Sequence, residues 1–139
     1  MPMITVAIAA EPDDRLAREV AEKASALTAQ WLGKDPNVTA VAVEFIAPKH
    51  WFIAGRSLEE RRKRAFFMDV RISDGTNNKG EKAAFIGAAF DAMARLLGGV
   101  DEESYVHVDD VRADAYGYGG LTQERRYVES LRLPPANFA

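Results

Sequence analysis

Three kinds of side chain in this sequence could carry out acid–base chemistry on a small molecule: an amine, several arginines, and a few aromatic or imidazole groups. Pro2 directly follows Met1, so removal of Met1 would expose a secondary amine at the start of an apolar segment. An amine shielded from water loses stabilisation of its charged form, which moves its pKa towards neutrality and suits it to proton transfer. Guanidinium groups, for their part, bind carboxylates through charge-assisted hydrogen bonds.

The candidate binding residues share cationic, aromatic or hydrogen-bonding side chains on or near the predicted strands. An ion pair of Arg71, either with Asp69 two residues away on the same strand face or with an acid of another subunit, is the simpler interpretation of that arginine. A metal site around His107 is disfavoured because the chain has two histidines and no cysteine. The side chains that could take part in a binding site are Arg71, Trp51, His107, Tyr105, Arg112 and Arg56, with no metal ligand.

The first third of the chain predicts the order strand, helix, strand. Ile4, Val6 and Ile8 mark a strand with one apolar face. The segment EPDD at 11–14 offers helix N-caps, and Gly33 offers a C-cap. A second strand is predicted at 38–46. The apolar positions expected on the inner face of the helix are Leu16, Val20, Ala24, Leu27 and Trp31.

The same order returns in the second half, with a strand at 65–73, a helix from Lys79 to Gly98, and a strand at 104–113. Each half ends in an aromatic residue followed by glycine, HWFIAG at 50–55 and AYGYGG at 115–120, which lie 65 residues apart. GYGG in the second segment predicts a hairpin or tight turn. The apolar positions expected on the inner face of the second helix are Ala83, Ile86, Phe90, Met93 and Leu97.

These patterns predict one α/β (α+β) domain made of two βαβ units, 1–56 and 65–122, joined by a charged linker at 57–64 and followed by a tail at 123–139. Two such units side by side form a four-stranded sheet with both helices on one face. The other face is mixed in polarity, so it is either exposed to water or covered by other subunits, and we favour the second. The tail, interrupted by Pro134-Pro135, is expected to pack on a neighbouring subunit or to cap a sheet edge. Side chains predicted on the mixed face are Thr5, Asp69, Arg71, Tyr105 and His107.

Pro2 at the start of a strand, the repeated βαβ unit and the aromatic–glycine turns together resemble the tautomerase superfamily. The resemblance extends from Pro2 to about Gly120. Within the superfamily, the chain is similar to the fused double-unit members malonate semialdehyde decarboxylase and cis-3-chloroacrylic acid dehalogenase. It implies a tautomerase/MIF-like fold, assembled as a homotrimer around a central barrel. It further implies that Met1 is removed, that Pro2 is the catalytic acid or base, and that no cofactor or metal is needed. Trp51 falls at the position of the family's pocket aromatic residue.

The arginines that anchor substrate in the single-unit member, 4-oxalocrotonate tautomerase, have no counterpart in this chain. The two corresponding positions hold Pro12 and Ala40 in the first half, and Thr76 and Tyr105 in the second. The double-unit enzymes carry arginines in the strand-to-helix turn of the second half, where this chain has SDGTN at 73–77. Anchoring is therefore expected from one of the other predicted arginines, with the polar groups of the last strand as partners.

Three functions remain open at the level of sequence. The resemblance implies keto–enol tautomerisation of a small 2-oxo or unsaturated carboxylic acid, or hydration or decarboxylation by the same amine. A non-catalytic ligand-binding or assembly protein on the same fold is the alternative. A ferredoxin-like binding domain is the third, and it would pair the strands differently.

The composition argues against nucleic acid and membranes as partners of this protein. The 139 residues include 47% apolar and 28% charged residues, as in an ordinary globular domain. The net charge of −3 lacks the basic excess typical of nucleic-acid-binding proteins. No apolar stretch predicts a membrane span or a leader, so we expect a cytoplasmic protein. The resemblance to the tautomerase superfamily implies a small carboxylate as its partner.

Overall fold

The computed structural model describes residues 2–131. Met1 and the part of the predicted tail that contains Pro134-Pro135 lie outside these residues. The strands and helices, in chain order, are β1 (Met3–Ala9), α1 (Asp14–Leu32), β2 (Ala40–Ile46), β3 (Phe52–Ile53), β4 (Arg56–Ser57), α2 (Leu58–Arg61), β5 (Phe66–Ser73), α3 (Lys79–Leu97), β6 (Tyr105–Val111), β7 (Gly117–Tyr118), β8 (Leu121–Thr122) and α4 (Gln123–Ser130).

One four-stranded sheet, in the order β2-β1-β5-β6, forms the centre of the fold. β1 pairs with β2 in parallel, β5 pairs with β6 in parallel, and the two pairs meet through antiparallel β1 and β5. This confirms the predicted sheet of two βαβ units. A ferredoxin-like domain would split the strands of each unit, so the direct pairing of β1 with β2 excludes that alternative.

Helix α1 begins and ends where the sequence predicts. The Asp13 carboxylate accepts the backbone N–H groups of Arg15 and Leu16, both at 3.1 Å, and Gly33 closes the helix with a left-handed φ of 68°. The prediction that Trp31 faces the core is wrong, since 38% of this residue is exposed. The buried row runs at a spacing of four, with the predicted Leu27 buried beside it. The buried residues are Leu16, Val20, Ala24, Leu27, Thr28 and Leu32.

Helix α3 begins with a capping box, in which Asn78 and Glu81 each accept the other's backbone N–H. The predicted inward positions Ala83 and Ile86 are wrong, because both are exposed. Counting back from Leu97 in steps of four gives the row that the helix actually buries. That row is Phe85, Ala89, Met93 and Leu97.

The two halves repeat with a constant displacement along most of their length. α1, β2 and the β3–β4 hairpin recur 65 positions later as α3, β6 and the β7–β8 hairpin. The strands β1 and β5 match at 64 positions instead, since the loop from β5 to α3 is one residue longer than the loop from β1 to α1. Helix-facing Ile4 thus corresponds to Met68, and Pro2 corresponds to Phe66.

The repeat extends past the predicted unit boundaries at 56 and 122. The segment predicted as a charged linker, 57–64, contains α2, and the predicted tail begins with α4. Ser57 and Thr122, which are 65 positions apart, cap these helices by accepting a backbone N–H three residues later.

The core lies between the sheet and the two long helices, and the opposite face of the sheet is open. Phe67 and Tyr105 lie side by side on this open face with ring centroids 6.4 Å apart, and both are substantially exposed. None of the helices within residues 2–131 is long and apolar enough to cross a membrane.

Candidate active site

The region around Pro2, called here the Pro2 end, gathers several of the predicted site residues. Pro2 is buried, and its carbonyl accepts the Ala40 N–H at 3.2 Å, which fixes the start of β1 to β2. The next residue, Met3, lies opposite Arg71 on β5. Arg71 is therefore one strand away and one residue removed from Pro2, at the same end of the sheet.

Tyr116 completes the Pro2 end, and the sequence analysis missed it. Its hydroxyl donates to the Arg71 carbonyl at 3.3 Å, and a backbone hydrogen bond from Met3 reaches the same hydroxyl. Burial raises the pKa of the Tyr116 hydroxyl, although the Met3 contact and the Arg71 charge oppose the rise, so the phenol stays protonated at neutral pH. The signal was present, because Tyr116 lies 65 positions after Trp51.

The opposite end of β1, called here the Phe66 end, holds three other predicted residues. Trp51 packs there against Ala9, Leu58 and Ala65. β1 has seven residues, so the two ends are separated by about 20 Å. Within one chain the structure therefore does not bring Trp51 to Pro2.

Tyr105 and Arg56, also at the Phe66 end, already have partners. The Tyr105 hydroxyl donates to Glu103 at 2.7 Å, and this hydrogen bond raises the pKa of Tyr105. The Arg56 guanidinium lies 3.7 Å from the Glu60 carboxylate, and both side chains are largely exposed.

His107 lies between the two ends, on the open face of the sheet. Its Nδ1 is 3.8 Å from Asp69 Oδ1, so Asp69 faces His107 and forms no ion pair with Arg71 among the described residues. The predicted pairing of Arg71 with Asp69 is therefore wrong, while its alternative, pairing with an acid of another subunit, stays a prediction. No three His, Asp or Glu side chains within residues 2–131 come close enough together to hold a metal ion.

The two predicted arginines at the Pro2 end differ in availability. Arg112 binds Asp114 through two hydrogen bonds of 3.0 and 2.8 Å, which raise the pKa of Arg112 and lower that of Asp114. Arg71 forms no ion pair with any described residue. Arg71 is the better placed of the two to bind a carboxylate, because its charge is not already neutralised.

No family model matches the sequence, and no curated protein matches it either. The fold, in contrast, is similar to solved structures along most of its length. A structure of Pt0534 inactivated by 2-oxo-3-pentynoate is 17% identical, with 89% of this chain and 98% of that chain covered and a TM-score of 0.78. A symmetric trimer of Q0 fused 4-OT is 19% identical, with 88% and 96% covered and a TM-score of 0.76.

A macrophage migration inhibitory factor-like protein from Entamoeba histolytica is similar over 87% of this chain and 97% of its own, at 16% identity and a TM-score of 0.72. The chain therefore has the fold of the tautomerase superfamily. Within that fold it has the fused 4-OT arrangement, in which one chain carries both βαβ units.

Proposed function

We propose that this protein is a tautomerase-like enzyme in which the free amine of Pro2 transfers a proton on a small 2-oxo or unsaturated carboxylic acid. The observation that carries the proposal is the position of Pro2, which is buried at the start of β1 beside Arg71 and Tyr116. The fold likeness to Pt0534, which 2-oxo-3-pentynoate inactivates, supports a 2-oxo acid as the substrate class.

The proposed reaction needs only groups that this chain supplies. The Arg71 guanidinium binds the substrate carboxylate, which is a strong charge-assisted interaction. The Pro2 nitrogen removes the enol proton and returns a proton to the neighbouring carbon, so the enol becomes the keto acid with no net change in atoms. Tyr116 positions the start of β1 through its contacts with Met3 and Arg71.

The proposal includes association into a homotrimer and keeps the cytoplasmic location as a prediction. The open face of the sheet exposes Met3, Phe67 and Tyr105, which are large side chains that a neighbouring subunit would cover. The Q0 fused 4-OT protein, with the same fold, is a symmetric trimer. His107 and Asp69 would then lie within the barrel rather than in open solvent.

Turnover of phenylenolpyruvate by the parent protein and by Pro2→Ala tests the proposal. Intact mass first establishes that Met1 is removed, because an amide nitrogen has no basic lone pair. We expect kcat/KM to fall by about 10²-fold or more in Pro2→Ala, which is the usual contribution of a general acid–base group. Pro12→Ala, in the exposed loop before α1, is the matched control and should turn over like the parent.

A second candidate function, ligand binding or assembly without catalysis, is favoured by one observation. The turn at 73–77 carries no arginine, and the nearby Arg112 is held by Asp114. Retention of Met1, with turnover by neither the parent nor Pro2→Ala, would favour this candidate over the enzyme, whereas equal turnover by both proteins would rule out Pro2 as the catalytic group.

Arg71→Met tests the anchoring role within the proposed reaction. Loss of a charge-assisted contact to the substrate should raise KM by about tenfold, because such contacts contribute roughly 1.5–3 kcal/mol. Arg56→Met is the control, since Arg56 lies at the Phe66 end and its ion pair within residues 2–131 is with exposed Glu60. Equal KM values for the two variants would show that Arg71 does not bind the substrate.

A further inference from the structure

A cavity lies at the Pro2 end of the sheet, on the side that the helices cover. It has a volume of about 640 Å³ and lies between the C-terminal end of α1, the β5–α3 loop and α4. This volume lies within the range of small-molecule sites. Lining side chains with N–H groups that could donate hydrogen bonds into it include Lys34, Gln123 and Arg126.

Gln123 is buried without using its side-chain donor. Only 7% of this residue is exposed, and its Nε2 has no hydrogen-bond partner within residues 2–131. Leaving a buried donor unsatisfied is costly, so such groups are rare and call for a reason. The fold does not require a buried amide at this position, because the corresponding residue in the first half is Leu58, which is 1% exposed.

Arg126 is held in place but is not neutralised. Its Nη2 donates to the Tyr118 carbonyl at 2.9 Å, and its guanidinium carbon lies 3.9 Å from the centroid of the Tyr118 ring. Its Nε is buried and has no partner among the described residues, and it forms no ion pair with them. A fixed guanidinium with a free N–H is suited to binding a carboxylate.

The first half shows what occupies the matching place there. Arg61 precedes Arg126 by 65 positions and donates in the same way to the Ile53 carbonyl, at 3.3 Å. Its Nη2, however, binds the buried carboxylate of Asp101 at 3.0 Å. The residue 65 positions before Asp101 is Pro36, and the adjacent Asp35 uses its carboxylate to cap the Asn37 N–H at 2.9 Å. The second-half arginine therefore lacks the carboxylate that its counterpart has.

Lys34 adds a second cation at the cavity wall. Its Nζ donates to Thr76 Oγ1 at 2.9 Å, and burial lowers the pKa of Lys34 although Glu81 and Asp110 oppose this. Acidic Asp35, Asp74 and Glu124 also line the cavity. A planar carboxylate matches the fork of a fixed guanidinium, and the Asp101 carboxylate binds the corresponding Arg61, so the ligand that fits this cavity is a small carboxylic acid anion.

We propose that this cavity is a binding site for a small carboxylate, with Lys34, Gln123 and Arg126 as its ligands. The carboxylate takes the role towards Arg126 that Asp101 has towards Arg61. The site is next to Tyr116, whose carbonyl accepts the Gln123 backbone N–H at 2.8 Å, but it does not depend on the Pro2 amine.

Calorimetric titration with malonate, an unreactive dicarboxylate, tests this site. We expect the parent to bind malonate and the dissociation constant to rise at least tenfold in both Gln123→Leu and Lys34→Met. Lys23→Met removes an exposed lysine of α1 outside the cavity and is the matched control, with a dissociation constant within twofold of the parent. Without ligand, Gln123→Leu should also melt at the same or a higher temperature than the parent, because the first half buries a leucine, Leu58, at the corresponding position.

Pro2→Ala separates this proposal from the proposed function. It should bind malonate like the parent even though its turnover is lost. The site is disproved if the parent does not bind malonate, or if Lys34→Met and Gln123→Leu both bind it as tightly as Lys23→Met does. A Gln123→Leu protein that melts well below the parent would show that the amide is structural, and would overturn its assignment as a ligand.

Discussion

At the Phe66 end, polar groups are satisfied within the chain, whereas at the Pro2 end several are not. Phe66 donates its backbone N–H to Ser104 Oγ at 3.3 Å, and the Arg61 guanidinium binds Asp101. At the Pro2 end, Arg71 and Arg126 form no ion pair with any described residue, and Gln123 Nε2 has no partner there. Because both ends use the same backbone, the fold does not require the unpaired groups at the Pro2 end.

The largest effect is expected from Phe66→Ala, since Phe66 fills the core where its counterpart Pro2 fills little volume. Phe66 is fully buried and lies against Phe90 with ring centroids 5.9 Å apart. Truncation should lower the free energy of unfolding by about 3–5 kcal/mol, measured by urea denaturation. Pro2→Ala should lower it by less than about 1 kcal/mol. If the two variants lost equal stability, the comparison between structural and functional ends would not hold.

A smaller effect is expected from Asp101→Asn, which removes the internal carboxylate of the Phe66 end. The Glu103 backbone N–H and the charges of Arg61 and Lys63 hold the pKa of Asp101 below its ordinary value despite burial. A depressed carboxyl pKa contributes stability above the unfolded pKa, and this stability is lost as pH falls through the folded pKa. The urea midpoint at pH 7 should therefore fall by roughly 0.5–1 M.

The deficit of Asp101→Asn should shrink as the pH is lowered below about 4, because the parent then loses the same contribution. Asp114→Asn, which breaks an exposed pair, is the control and should leave the midpoint nearly unchanged. A deficit that stayed constant down to pH 2 would show that the Asp101 charge does not stabilise the fold.

The smallest effects on turnover are expected at Tyr116 and Trp51, the aromatic residues at matching positions of the two halves. Tyr116→Phe removes the hydroxyl that contacts Arg71 and Met3, so phenylenolpyruvate turnover should fall by about tenfold, which corresponds to one hydrogen bond. The kcat value should fall more than KM rises, since Tyr116 positions the strand that carries Pro2. Trp51→Phe should change turnover by less than twofold. A larger loss in Trp51→Phe would mean that a neighbouring subunit brings Trp51 to the site.

The sequence predicted the fold through signals that act locally. Alternation in β1 and β5, the caps at Asp13 and Gly33, and the repeat of aromatic–glycine turns each depend on near neighbours in the chain. The error at Trp31 arose because two neighbouring rows of a helix are both apolar, and only packing decides between them.

The site was predicted less completely, because it depends on which ends of the strands meet. Antiparallel pairing of β1 with β5 brings the aromatic turn of the second half, not that of the first, to Pro2. The same pairing brings Arg71 beside Met3 and leaves Arg56 at the far end. Lys34 and Arg126 gave no signal, since lone cations without a motif are common on surfaces.

The covalent connection between the two βαβ units has a consequence for symmetry. Two separate identical units would place every substitution at both ends of the sheet at once. In one fused chain, a change such as proline to phenylalanine at the start of a strand affects one end alone. The pseudo-twofold axis between β1 and β5 can therefore persist in the backbone while the chemistry around it becomes asymmetric. A reagent that labels the Pro2 amine should accordingly saturate at one equivalent per chain, although each chain has two such ends.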